Sequence, residues 1–315
     1  MEKISFVIPC YGSENTINHV VSEIRETLSE RPEFSFEIIA VNDCSPDRVY
    51  EKLVVLAAED HRVKVINFAK NMNRPGAVMA GLNYATGKYV VVMDDDGQCP
   101  MDKFWELFKP IEDGHDVSIA KYPERKQSAF KNFGTSVNKK MTEFIINRPK
   151  DMEFTNFMIL RSYIVKEIIK YKNPYPFFTG LILRTTKDIV NVDMEERERF
   201  SGSSTFTFSK MLGMWVNGLT AFSIKPLRIS SLVGVICAMG GFIFGLVTII
   251  RKLVISNISV GWSSTISIML FIGGLIMLML GMIGEYLGRI YISLNNSPQF
   301  VIKEKINFDG EDDEE

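Results

Sequence analysis

Two long uncharged stretches near the C-terminus constrain the fold of this chain more than any other feature. Residues 229–250 form an uncharged run of 22 residues, and residues 260–284 form another of 25. A helix needs about 20 consecutive apolar residues to cross a bilayer, and lipid-exposed backbone has to be helical or part of a closed barrel. The pattern predicts a transmembrane hairpin. A buried hairpin in a soluble core is the alternative, and glycine-rich uncharged runs of this length favour the membrane.

The N-terminal residues predict the side of the membrane on which the rest of the chain lies. Met1–Lys3 runs directly into a strand-like stretch, without the basic and apolar regions of a signal peptide. Two spans then return the chain to the side from which it left. We therefore expect a cytoplasmic N-terminal domain and a protein integral to a bacterial inner or plasma membrane. The basic residues that flank the spans are biased only slightly toward their outer ends.

Charge and composition divide the remaining chain into parts. The net charge of −2 gives no reason to expect a nucleic-acid partner, and the four cysteines lack metal-type spacing. We expect an N-terminal domain over residues 1–200, an amphipathic juxtamembrane segment over 201–228, the hairpin over 229–284 and a tail over 285–315. Apolar residues recur at helical spacing between Phe206 and Phe222. This face fits the membrane interface, and packing against the N-terminal domain is an equal alternative.

Strand and helix signals alternate through the N-terminal part. Apolar, β-branched stretches predict strands, and the intervening segments have helical periodicity. The predicted elements are strands at 4–9, 36–41, 63–68, 90–93 and 117–120, and helices at about 14–30, at about 47–60 and from Pro75 onward. Regular alternation predicts an α/β fold in which helices cover both faces of a mostly parallel sheet.

Three carboxylates, a glycine and an amide follow the apolar strand Val90–Met93. They are Asp94, Asp95, Asp96, Gly97 and Gln98. In open α/β sheets the ligand crevice lies beyond the carboxyl ends of the strands, and Mg²⁺ is usually held by one or two carboxylates together with substrate phosphates. Mn²⁺ accepts the same ligands. The stretch predicts either a metal site at the sheet edge or a solvated acidic turn.

Four motifs in the first hundred residues resemble a known enzyme family. They follow one another in the order and spacing of family-two glycosyltransferases with the GT-A fold. The motifs are Val7–Gly12, Val41–Asp47, Arg74–Leu82 and Asp94–Pro100. The last is similar to the Asp-Ala-Asp-Leu-Gln-x-Pro of dolichyl-phosphate mannose synthase and of bacterial undecaprenyl-phosphate glycosyltransferases. The resemblance continues through Arg199–Ser204 and from Lys225 to Arg289, so it covers nearly the whole chain.

The resemblance implies a reaction, its partners and its cofactor. The reaction is inverting transfer of a hexose from a nucleotide sugar to undecaprenyl or dolichyl phosphate. A UDP-sugar such as UDP-glucose is preferred as donor, and GDP-mannose remains open. Asp94, Asp96 and Arg199 are implied in catalysis, and Asp96 and Gln98 are implied to hold Mg²⁺ or Mn²⁺. The residues implied to bind the nucleotide sugar are Pro9, Tyr11, Asp43, Asp94 and Asp95. A homo-oligomeric assembly is compatible with this function.

Basic residues provide candidate ligands for the acceptor phosphate. Polar residues follow the strand at 117–120, and the Arg199-x-x-Gly-x-Ser204 motif precedes the amphipathic segment. The residues assigned to the acceptor phosphate are Arg125, Lys126, Lys131, Arg199 and Ser204. Arginine grips phosphate through two bonds, which favours Arg199. A solvated basic face is the alternative for each of the others.

Several residues depart from the family pattern, and two other functions remain open. Asp95 replaces a small residue and could point outward along the strand. Asn156 stands in a stretch where relatives carry an acid, so no catalytic base is assigned there. A processive polysaccharide synthase shares the nucleotide-binding motifs, but no tryptophan follows an arginine as the Gln-x-x-Arg-Trp motif of those enzymes requires. An inactive sugar-nucleotide sensor or scaffold is disfavoured by the intact Asp94, Asp96 and Gln98.

Overall fold

The structure, a computed structural model, describes residues 1–123, 149, 152–174, 176–195, 197, 225–254, 261–295 and 298–308. The chain forms two compact units. One consists of Met1–Thr207 with Ser297–Glu315, and the other of Phe208–Asn296. The predicted domain limits at residues 200, 228 and 284 stay a prediction.

The first unit is built on one eight-stranded sheet. Its strands are β1 Glu2–Cys10, β2 Phe34–Asn42, β3 Val63–Phe68, β4 Tyr89–Val92, β5 Val117–Lys121, β6 Met158–Arg161, β7 Ile189–Asp193 and β8 Ile302–Ile306. The spatial order is β7-β5-β6-β4-β1-β2-β3-β8. Among the described strands, only β6 and β8 run antiparallel to their neighbours. The prediction of a mostly parallel α/β sheet is confirmed.

Six helices belong to the first unit and two to the second, within the described part of the chain. They are α1 Ile17–Ser29, α2 Val49–Glu59, α3 Asn73–Tyr84, α4 Phe104–Glu112, α5 Ser162–Ile168, α6 Phe178–Thr185, α7 Lys225–Val254 and α8 Trp262–Leu294. A 3-10 turn at Met101–Lys103 precedes α4.

The two faces of the sheet carry separate cores. In β2, Ile38 and Ala40 join a large cluster with α1, α2 and α4, whereas Ile39 and Val41 join a smaller cluster with α3. Successive side chains of a strand point to opposite faces, so this alternation places helices on both sides. Helix α3 lies so close to the sheet that a Cβ added at Gly81 would come within 2.4 Å of a Val7 methyl group. Only glycine allows this approach.

A buried carboxylate stabilises the sheet between β1, β2 and β3. Glu37 is 1% exposed and accepts hydrogen bonds from the Ser5 hydroxyl at 2.6 Å and the Thr86 N–H at 2.8 Å. Lys3 and Lys64 lie 2.9 and 3.0 Å from its Oε2. Burial alone would raise the pKa of Glu37, but these bonds together lower it from 4.5 to about 2.

The last described residues complete the first unit at the edge of the sheet. Strand β8 pairs antiparallel with β3, and Phe300 stacks on Phe68 with ring centroids 6.0 Å apart. The backbone oxygen of Gln299 would lie 3.2 Å from a Cβ at Gly76, in the first turn of α3. The predicted tail over 285–315 therefore contains a strand that the sequence analysis does not identify.

Helices α7 and α8 are long and apolar enough to cross a membrane. The relevant stretches are Leu227–Val247, with a mean hydropathy of 2.1, and Phe271–Gly288, with 1.7. Little of either is buried within the protein: 6% of the first and none of the second. Phe242 and Met277, for example, are 74% and 70% exposed. Both stretches overlap the predicted spans, and α8 continues past the predicted end at 284 to Leu294.

Candidate active site

The carboxyl ends of β1, β2 and β4 meet at one edge of the sheet, and each continues into a polar loop. Asn42 ends β2 opposite Cys10 of β1, and Val92 of β4 lies opposite Val7. The loop after β4 turns at Gly97, whose φ of +76° is the left-handed conformation that favours glycine. The crevice predicted from strand order is thus lined by the residues that follow these strands.

Asp94 is held by two neighbours, one on each carboxylate oxygen. Arg74 Nε donates to Oδ1 at 2.8 Å, and Asn156 Nδ2 donates to Oδ2 at 2.7 Å. Arg74 comes from the first turn of α3, and Asn156 precedes β6. The carboxylate is fixed in direction and its charge is balanced by the guanidinium. In this arrangement it suits contact with hydroxyl groups of a ligand better than direct binding of a cation.

Asp95 turns toward the loop after β1 instead of outward along the strand. Its Oδ2 accepts a hydrogen bond from the Tyr11 N–H at 2.9 Å, and its backbone oxygen accepts one from the Thr16 hydroxyl at 2.6 Å. Burial raises the pKa of Asp95 to about 6, although the hydrogen bond from the Tyr11 N–H opposes the shift. The nearby charge of Asp94 raises this pKa further. Asp95 thus joins the loops after β1 and β4.

Asp96 and Gln98 offer oxygen atoms at the same turn. The Gln98 N–H donates to Asp96 Oδ1 at 3.1 Å, which closes the turn around Gly97. In the described part of the chain, no group of three or more acidic, cysteine or histidine side chains could hold a metal ion by itself. One carboxylate and one amide oxygen nevertheless fit an ion whose other positions are filled by phosphate and water, which is the usual arrangement for Mg²⁺.

Asp43 lies almost fully buried at the end of β2. Its Oδ1 accepts the Met72 N–H at 2.6 Å, and its backbone oxygen accepts the Asn71 side-chain amide at 3.1 Å. Burial raises the pKa of Asp43 to about 6, although hydrogen bonds from the Met72 and Asn73 amides oppose the shift. Asn73 has a φ of +62°, a left-handed conformation that asparagine tolerates.

The other nucleotide-site candidates lie around the loop after β1. Pro9 is buried within β1, and Tyr11 is 56% exposed immediately after it. Asp47 accepts hydrogen bonds from the Ser45 hydroxyl at 2.6 Å and from the Glu14 N–H at 2.8 Å. These bonds fit the turn role that its position after Pro46 suggests, and Asp47 Oδ1 also accepts the Val49 N–H at 3.3 Å at the start of α2. Tyr11 thus presents an exposed ring at the crevice, and Asp47 supports the loops.

The candidate residues for the acceptor phosphate fall outside the described residues. These are Arg125, Lys126, Lys131, Arg199 and Ser204. Of the polar residues that follow the predicted strand at 117–120, Lys121 is described, and its Nζ lies 3.4 Å from Asp193 Oδ1 at the end of β7. The acceptor assignments therefore stay predictions.

The structure also brings residues to the crevice that the sequence analysis leaves without a role. Arg74 lies inside one of the four motifs, so a signal for it existed. Asn156 is recognised in the sequence only as a departure from the family pattern. Arg197 contacts Gln98 through its main chain and carries no sequence signal of its own. None of these contacts follows from spacing along the chain, because each joins residues at least 20 positions apart.

Similarity to known proteins agrees with this fold. Residues 5–169 match the glycosyl transferase family 2, which is more than half of the chain, and the protein belongs to that family. Residues 225–290 match a second family, described as the GtrB C-terminal hairpin. The resemblance to family-two glycosyltransferases is therefore confirmed for both parts of the chain.

Two relatives align with nearly the whole chain. The uncharacterized glycosyltransferase YkcC of Bacillus subtilis is 30% identical, over 97% of this chain and 95% of its own length. The SfII prophage-derived bactoprenol glucosyl transferase of Shigella flexneri is also 30% identical, over 96% and 97%.

A solved structure shares the fold of the first unit. Glucosyl-3-phosphoglycerate synthase of Mycobacterium tuberculosis, in complex with Mn²⁺, uridine-diphosphate-glucose and phosphoglyceric acid, has a TM-score of 0.52. It is 14% identical and covers 70% of this chain and 78% of that one. At this identity the likeness concerns the fold alone.

Proposed function

We propose that this glycosyltransferase moves glucose from UDP-glucose to a polyprenyl phosphate at a membrane, with inversion at the anomeric carbon. The observation that carries the proposal is the similarity over nearly the whole length, hairpin included, to bactoprenol glucosyl transferases. A lipid acceptor also explains why a small transferase carries two apolar helices. The arrangement of Asp43, Asp94, Asp96 and Gln98 at one sheet edge supports a nucleotide-sugar site.

The donor is bound by residues from three loops. The second oxygen of Asp43 accepts the N–H of the uracil ring, and the exposed ring of Tyr11 covers the base. Asp94, held by Arg74 and Asn156 at 2.8 and 2.7 Å, accepts hydrogen bonds from the ribose. Asp95 keeps the loop of Tyr11 against the loop of Asp94. Donor recognition thus depends on carboxylates whose directions are fixed before the ligand binds.

A divalent cation is proposed to complete the donor site. Asp96 and the amide oxygen of Gln98 would hold it, and a bound Mg²⁺ or Mn²⁺ supplies positive charge that stabilises the leaving diphosphate. The remaining positions of the ion would be filled by phosphate oxygens and water.

The acceptor phosphate reacts without a general base. Its oxygen forms a bond to the anomeric carbon while the bond from that carbon to the diphosphate breaks, and UDP leaves. A phosphate monoester is already largely ionised at neutral pH because its second pKa is about 6. This explains why a neutral residue, Asn156, suffices beside Asp94. We assign the acceptor phosphate to Arg199 and Ser204, with Arg125, Lys126 and Lys131 as further candidates.

Both apolar helices are proposed to cross the membrane, with the first unit in the cytoplasm. The chain leaves the first unit before α7 and rejoins its sheet at β8. Since both ends of the hairpin are tied to one folded unit, the number of crossings has to be even. Two crossings fit the two apolar stretches.

A donor and acceptor panel tests this proposal. The full-length protein in detergent is incubated with UDP-glucose, UDP-galactose or GDP-mannose and a short polyprenyl phosphate, and lipid products are identified by mass spectrometry. We expect a glucosyl phospholipid from UDP-glucose. Polymer formation would support a processive synthase instead. The absence of both a lipid product and donor hydrolysis would point to a sensor.

The metal assignment has its own test. Excess EDTA and the substitution Asp96→Ala are each expected to abolish transfer, while the melting temperature of Asp96→Ala stays at the wild-type value because a loop carboxylate adds little to the core. Full activity in EDTA would refute the metal assignment but not the glucosyl transfer.

A further inference from the structure

Arg197 contacts the loop after β4 through its main chain. Its N–H donates to the backbone oxygen of Gln98 at 3.2 Å, and the side-chain amide nitrogen of Gln98 donates to the Arg197 carbonyl oxygen at 3.1 Å. The two residues are 99 positions apart, so neither bond follows from local chain geometry. Together the bonds fix both the backbone and the side chain of Gln98 against a single residue.

The chemistry of the carbonyl group decides how the Gln98 amide is oriented. A carbonyl oxygen only accepts hydrogen bonds, so the amide NH₂ has to be the group that faces it. The amide oxygen Oε1 is therefore turned away from Arg197. Oε1 is also the atom that a divalent cation would bind. The Arg197 carbonyl thus selects the orientation of the Gln98 amide in which Oε1 can bind a cation.

The side chain of Arg197 holds this carbonyl in position. Its two terminal nitrogens contact Glu23 of α1 and Asp102 of the 3-10 turn. The side chains of Arg197 and Glu23 are only 29% and 17% exposed, so the pair is partly withdrawn from water. A planar guanidinium can reach two carboxylates at once, whereas a lysine ammonium is a single point of charge. Arg197 therefore links Gln98 to α1 and to the 3-10 turn.

We propose that Arg197 is a positioning residue for metal binding, which presents Gln98 Oε1 to the cation through its own carbonyl group. The inference rests on the proposed function, in which Asp96 and Gln98 hold the ion. It adds a residue that touches neither donor nor cation. Partners of this kind orient metal ligands in proteins, and their loss typically weakens metal affinity by about 10- to 100-fold.

The test measures Mn²⁺ binding to the full-length protein in the presence of saturating UDP, by the electron paramagnetic resonance signal of free Mn²⁺. Arg197→Ala is expected to raise the Mn²⁺ dissociation constant by about 10- to 100-fold. Arg197→Lys should recover part of the loss. Gln98→Ala should weaken binding as well, and the double variant should bind no worse than the weaker single variant, because both changes remove one interaction.

Two controls separate positioning from a general loss of structure. Arg31→Ala removes another partly exposed arginine–carboxylate contact of the same unit, because Arg31 is 34% exposed and lies 2.7 Å from Glu112. Any loss of stability in this variant should leave Mn²⁺ binding unchanged. UDP affinity in EDTA should be the same in the wild type and in Arg197→Ala.

The outcomes distinguish the inference from the function on which it rests. Wild-type Mn²⁺ affinity in Arg197→Ala, or losses that multiply in the double variant, would overturn the inference alone. A wild-type protein that transfers glucose but binds no Mn²⁺ with UDP would overturn both the metal assignment and the inference. Lost UDP affinity in EDTA would show that Arg197 supports the fold and would likewise overturn the inference.

Discussion

Donor affinity should depend on pH through Asp43. The pKa of this buried carboxyl is raised to about 6, and the uracil N–H needs an ionised acceptor. Only the ionised fraction binds, so the apparent dissociation constant is the intrinsic value divided by that fraction. The fraction is close to one at pH 7.5 and falls to about a tenth at pH 5. Affinity should therefore drop about tenfold over this range, or about 1.4 kcal/mol.

Isothermal titration calorimetry with UDP-glucose at constant Mg²⁺ measures this dependence. UDP itself is unsuitable, because its terminal phosphate titrates at about pH 6. Asp43→Asn should weaken binding at neutral pH and remove the pH dependence. Asp95→Asn is the matched control, since the pKa of Asp95 is also raised to about 6. It should retain the dependence.

Two results would refute this reasoning. A wild-type affinity that stays constant between pH 7.5 and 5 would mean that the ionised form of Asp43 is not required. An unchanged slope in Asp43→Asn would assign the titration to another group. If Asp95→Asn removed the slope instead, the titrating group would be the carboxyl that holds the loop of Tyr11.

Three further predictions concern stability and topology. Glu37→Gln should lower the unfolding free energy by on the order of 3 kcal/mol at pH 7. The pKa of Glu37 is lowered from 4.5 to about 2, so its contribution to the unfolding free energy is present above pH 4.5 and is lost as the pH falls through about 2. Unfolding by denaturant at several pH values checks this dependence. Gly81→Ala should cost about 1–3 kcal/mol by overpacking against Val7, measured in the same way, and a smaller loss would show that α3 can move. In a variant without the native cysteines, a cysteine at Ser256 should react only from outside the cell and one at Asn307 only from inside, and the opposite labelling would reverse the topology.

The sequence predicts those strands and helices whose signal lies within the segment itself. Strand β3 has the predicted limits, and β2 and α2 differ from theirs by one or two residues at each end. Their apolar residues recur with the period of a buried element, so the signal lies within the segment. Asp94, Asp96 and Gln98 are recognised for a similar reason, because three carboxylates and an amide directly after an apolar strand cannot belong to the core.

The missed features depend on contacts between distant parts of the chain. Strand β8 contains the charged run Lys303–Lys305 and is not apolar, and it becomes a strand because β3 offers an unpaired edge. Strand β6 has four residues, too few for a periodic signal. The inward turn of Asp95 is set by the Tyr11 amide, 84 positions away. Such pairings are decided by the assembled sheet and leave little trace in the local sequence.

The position of β8 also sets the order in which the protein can mature. The edge of β3 cannot be covered until the ribosome has synthesised both apolar helices and the residues that follow them. During that time the sheet of the first unit has an open edge, which is prone to pair with other chains or to be recognised by chaperones. With the two crossings proposed above, a chain that inserts only one of its apolar helices would leave β8 on the far side of the bilayer, out of reach of β3. Closure of the sheet by β8 would thus be possible only in chains whose two apolar helices end on the same side of the membrane.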